Sequence, residues 1–104
     1  MIIRGQSAGT PYLSAVQKKE YMDRLTVQLP ALRGKARLTQ EAVANLAGIS
    51  RQTYYTIESG KRPMTWNTYL SLIYIFSCIP ATRALLGKLN TLPAAMLAVL
   101  IEIQ

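Results

Sequence analysis

The stretch "TQEAVANLAGISRQTYYTIESG", residues 39–60, constrains the fold of this chain more than any other. Two short apolar-patterned runs each have a hydroxyl residue in front, Thr39 and Ser50, and a glycine behind, Gly48 and Gly60. Threonine and serine cap helix N-termini by accepting a bond from an otherwise orphaned N–H, and glycine ends helices because it enters the left-handed region without strain. Only Ile49 separates the first glycine from the second cap. Two helices joined by so tight a turn must cross closely, so the inner position of the first must be small, as Ala44 is. Their shared core is expected from Val43, Ala47, Ile49, Tyr54 and Ile57. Adjacent tyrosines point about 100° apart on a helix, so Tyr54, in phase with Ile57, is expected inside with its hydroxyl reaching the edge, and Tyr55 outside.

Around this unit the chain reads as helical throughout. Met1 to Thr10 has turn formers and no helical period, which predicts a loose or partner-ordered arm. A leading helix is expected from Pro11, with Tyr12, Leu13, Val16, Met22 and Leu25 in phase. Pro30 would break a helix interior, so the first core helix is expected to begin near Val27 to Leu29 with Pro30 in its first turn. Thr65 caps a fourth helix with Trp66, Tyr69, Ile73 and Phe76 on one stripe, broadened by Leu70, Leu72 and Ile75. Pro80 starts a fifth, over residues 81–89, and Pro93 a sixth running to the end. No strand-like alternation occurs, so the expected fold class is all-α. The expected organisation is an arm and leading helix over 1–24, a central domain over 25–79 and C-terminal helices over 80–104.

Charge and missing residue types narrow the chemistry. Twelve Lys and Arg against five Asp and Glu give the 104 residues a net charge of +7, which favours a polyanionic partner such as nucleic acid or an anionic membrane surface. There is no histidine, a single aspartate (Asp23) and a single cysteine (Cys78). Zinc sites and most acid–base or nucleophile–base arrangements need residues this chain lacks, so no enzyme activity, metal or cofactor is expected. Cys78 is expected to be a buried small hydrophobe, and a reducing cytoplasm is the expected setting. Pro63 to Thr82 carries no charge, but its hydroxyl and amide residues and two prolines argue against a membrane span.

"LTQEAVANLAGISRQTYYTIESGKR" resembles the helix-turn-helix of the Xre family, the group of phage lambda repressor and Cro-like DNA-binding domains; the likeness extends over Leu29 to Phe76. The resemblance implies a lambda repressor-like helical bundle whose second motif helix enters the major groove of double-stranded DNA. It implies base contacts from Arg51, Gln52, Tyr55 and Thr56, and phosphate contacts from Gln40, Ser50, Ser59, Lys61 and Arg62. Their chemistry suits this: arginine pairs bidentately with guanine, glutamine with adenine, and a methyl or aromatic ring contacts thymine. It also implies a structural ion pair between Arg33 and Glu58. Between Arg33 and Arg62 six basic residues (Arg33, Lys35, Arg37, Arg51, Lys61, Arg62) stand against Glu41 and Glu58, a local net of +4. Tyr54, where the family usually carries Ile or Val, and Pro30 are departures from the pattern.

The implied function is a sequence-specific transcriptional regulator, with repression as the expected direction. Dimerisation is expected through the C-terminal helices, with Leu85, Leu86, Leu92, Met96, Leu97, Val99, Leu100, Ile101 and Ile103 as the surface. The alternative is an antitoxin that uses those helices to neutralise a partner protein, the toxin, and binds DNA only to regulate itself.

Overall fold

The computed structural model describes residues 13–94 and 96. Five helices lie among them: α1 (Ala15–Ala36), α2 (Gln40–Ala47), α3 (Arg51–Glu58), α4 (Trp66–Cys78) and α5 (Pro80–Lys88). No strand occurs among the described residues, and the fold is an all-α helix-turn-helix bundle. The arm, the first residues of the expected leading helix and residues 97–104 lie outside the described part.

The leading helix and the first core helix are one helix, contrary to the separate start expected near Val27 to Leu29. α1 starts in a capping box, in which Ser14 Oγ accepts from the Gln17 N–H and Gln17 Oε1 accepts from the Ser14 N–H. It then runs through Pro30 to Ala36. Proline at this depth costs about 3 kcal/mol. Leu25, Leu29 and Leu32 are fully buried along the same helix, and at roughly 1.5–3 kcal/mol each they outweigh that cost. Pro30 is exposed, so its ring displaces no core side chain. The α1 helix ends at Arg37, a non-glycine residue at φ 60°.

The central unit forms as its caps require. Thr39 Oγ1 accepts from Ala42 N–H at 3.0 Å, and Ser50 Oγ from Thr53 N–H at 3.0 Å. Gly48 takes φ 75° between the two helices. Nothing lies within 4 Å of where its Cβ would stand, so this turn needs glycine for its positive φ rather than for close approach.

Leu25, Leu29 and Leu32 of α1 form one core with Val43 and Ala44 of α2, Tyr54 and Ile57 of α3, the inner side of α4 and Leu86 of α5. α4 is covered on more than one side: Tyr69, Leu72, Ile73, Ile75 and Phe76 are all buried. Both ends of α4 are tied to the chain that follows it, Tyr69 Oη donating to the Thr91 carbonyl and Thr82 Oγ1 to the Phe76 carbonyl, both at 2.6 Å. These bonds satisfy buried carbonyls where α4 gives way to α5 and where the chain leaves α5.

Two further expectations change. Cys78 is exposed, because the buried face of α4 is filled by its neighbours and position 78 continues the outward stripe of Leu70 and Tyr74. Leu86 and Leu92, expected on a dimer surface, are 1% and 3% exposed in the chain's own core, and Leu85 and Met96 pack partly against it. Leu97, Val99, Leu100, Ile101 and Ile103 lie outside the described residues. Among the described residues no helix is long and apolar enough to cross a membrane, and the uncharged stretch is divided between α4 and α5 at Ile79.

Candidate nucleic-acid interface

α3 divides cleanly by phase. Tyr54 and Ile57 face the core, while Arg51, Gln52 and Tyr55 are exposed on the opposite side and Thr56 stands half-buried beside them. The two tyrosines thus separate, Tyr54 fully buried and Tyr55 45% exposed. Thr56 Oγ1 donates back to the Thr53 carbonyl, so its hydroxyl is engaged within the helix. Among the described residues the ion pairs are Lys19–Asp23 and Arg33–Glu58, and Arg51, Lys61 and Arg62 take part in neither.

The only acid of α3 is turned away from that surface. Glu58 Oε1 accepts from Arg33 Nε at 2.8 Å and Oε2 from Arg33 Nη2 at 2.9 Å, while Arg33 Nη1 also reaches the Leu38 carbonyl at 3.1 Å. Parallel donation of this kind is the strong form of a charge-assisted pair. Gln40 Nε2 adds a third bond, to Glu58 Oε2 at 3.3 Å. Burial pushes the Glu58 carboxyl up, but the Arg33 hydrogen bonds, then the Arg33 charge and the Gln40 amide, hold it below its ordinary value. Arg33 is raised, first by its bond to Glu58.

Tyr54 is the odd member of this group. Its hydroxyl is buried rather than at the edge, and it completes no hydrogen bond. Burial, and then the neighbouring Glu58 carboxylate, push its pKa well up, with Arg33 pulling the other way. It therefore stays a neutral phenol, close to the pair without being satisfied by it.

The residues expected to grip phosphates take several roles. Ser50 Oγ caps α3 and donates to Thr53 Oγ1, and Ser59 Oγ donates to the Thr56 carbonyl, so both hydroxyls are already engaged within the chain. Lys61 and Arg62 are exposed, and their N–H groups return to the Thr56 carbonyl at 3.0 and 3.2 Å, which fixes the exit from α3. Gln40 begins α2 with its amide drawn to Glu58. Reading the sequence missed that bond, although a carboxylate paired with one arginine has spare lone pairs for a nearby amide. It also left Leu46, on the outer side of α2 and 61% exposed, without a role.

Paired short helices across a glycine turn, the second presenting an exposed face from which its one acid is withdrawn, define a helix-turn-helix protein, the class of fold that binds DNA. A family model described as a helix-turn-helix domain matches residues 24–86. That span is more than half of the chain, which belongs to this family. The search of curated proteins and the search of solved structures each returned no significant match.

Proposed function

We propose that the protein is a transcriptional repressor of the Xre, lambda repressor-like kind, reading double-stranded DNA with α3 in the major groove. The observation that carries this reading is the exposed side of α3, where Arg51, Gln52 and Tyr55 stand free while Glu58 is consumed by Arg33. Arg51 and Gln52 in the first turn offer the donor patterns for guanine and adenine, and Tyr55 and the Thr56 methyl offer apolar contact to thymine. Lys61 and Arg62 at the exit, with Gln40 at the start of α2, supply phosphate contacts that fix register.

A single short recognition helix reaches only a few base pairs, so adequate specificity calls for two copies on half-sites about 34 Å apart. The protein therefore acts as a homodimer. Selection of bound sequences from random duplex DNA, followed by salt titration, tests the reading. An enriched motif bound less tightly as salt rises supports it. Failure to enrich any motif, with binding indifferent to salt, rejects it.

A further inference from the structure

We infer that Glu58 is a positioning residue for DNA binding: it holds the Gln40 amide at the N-terminus of α2 so that the second N–H of that amide meets a backbone phosphate. The inference rests on the proposed reading of duplex DNA and adds a residue that touches no DNA itself.

The chemistry follows from the bonds around Glu58. Gln40 is the first residue of α2 and carries two N–H groups on Nε2. One donates to Glu58 Oε2, which orients the amide with its nitrogen toward the carboxylate and its remaining N–H available. In the same turn Ala42 N–H is taken by Thr39 Oγ1 and Val43 N–H by the Thr39 carbonyl. The backbone N–H groups of Gln40 and Glu41 have no such partner in the helix and point to where an anion approaches. The exposed Glu41 carboxylate in this turn opposes a phosphate, so a donor held in place beforehand matters more here.

The carboxylate can act this way because it is itself immobile. Arg33 of α1 holds it with two bonds, and the side chain of Glu58 is only 8% exposed. The fully buried Tyr54 lies against the same group from one turn earlier in α3. α1, α2 and α3 thus meet at one anion, to which α2 contributes the hydrogen bond of the Gln40 amide. Fixing a donor before binding removes the ordering cost that a free glutamine would incur on contact.

The test uses the full chain and the duplex obtained by selection, with single phosphates replaced in turn by neutral methylphosphonates. Wild type loses affinity at one phosphate facing α2, and Gln40→Leu loses roughly tenfold on the native duplex and responds less to that replacement, only the backbone N–H groups still meeting the phosphate. Glu58→Gln, measured well below its melting temperature, shows the same loss of discrimination, and adding it to Gln40→Leu costs nothing more. Should Glu58→Gln fail to fold, the Gln40 side-chain amide resonances of wild type serve instead: they move both on acidification through the Glu58 titration and on adding duplex. Additive losses, or a Gln40 amide indifferent to DNA, overturn the inference. Wild type that binds no duplex refutes the reading of function, whereas Gln40→Leu binding as tightly as wild type refutes this inference alone.

Discussion

Arg33 of α1 clasps Glu58, the last residue of α3, through both carboxylate oxygens at 2.8 and 2.9 Å. The side chains are 22% and 8% exposed, so neither end of the pair is well solvated if the other is removed. Breaking such a pair from one side typically costs about 3–5 kcal/mol. Glu58→Ala is expected to lose about 3 kcal/mol in urea unfolding, while Lys19→Ala, which breaks an exposed pair, loses less than about 1 kcal/mol.

The same pair sets an acid limit. Glu58 sits below its ordinary value of 4.5 in the folded chain, so its contribution is fully present above that pH and is lost as pH falls through the lowered folded value. The stability gap between wild type and Glu58→Gln is expected to hold from neutral pH down to about 4.5 and to close below it. Paired unfolding curves across that range measure the gap directly.

Tyr54 offers a change in the opposite direction. Its buried hydroxyl has no hydrogen-bond partner, and leaving such a group unpaired costs about 1–3 kcal/mol. Tyr54→Phe keeps the ring and removes the orphan, so it is expected to gain about 1 kcal/mol. A loss in thermal unfolding would show that the hydroxyl is satisfied.

What could be read from the amino acids alone follows how local the physics is. Thr39, Ser50 and Thr65 cap the expected helices, and Gly48 and Gly60 take φ 75° and 80° behind them, because caps and turns are decided within a few residues. Phase along α3 separated Tyr54 from Tyr55 for the same reason. Pro30 was misread because its local penalty was set against nothing, whereas three buried leucines of the same helix outweigh it. Cys78, Leu86 and Leu92 depended on how α4, α5 and the segment after α5 lie against the core, which no local pattern decides. The Gln40–Glu58 bond spans 18 positions and needed the crossing of α2 and α3 to become visible.

Pro30 tests that ledger. On an exposed face of a continuous helix, replacement by alanine restores an N–H to the Thr26 carbonyl and relieves the ring clash. Pro30→Ala is expected to stabilise by about 2 kcal/mol, part of the roughly 3 kcal/mol propensity difference being offset by greater freedom of the unfolded chain. Denaturant titration with an unchanged slope measures this; no gain would show that α1 bends at Pro30 in solution.

The central claim is that the exposed side of α3 reads base pairs, and base preference of Arg51→Ala against wild type measures it most directly. On a selected site with each base pair varied in turn, wild type should discriminate by about 1–3 kcal/mol at the positions Arg51 reaches. The account predicts that Arg51→Ala loses this preference at one or two adjacent base pairs, keeps it elsewhere, and melts within a few degrees of wild type. A variant that keeps the full wild-type preference, or weakens equally on every sequence, would contradict it.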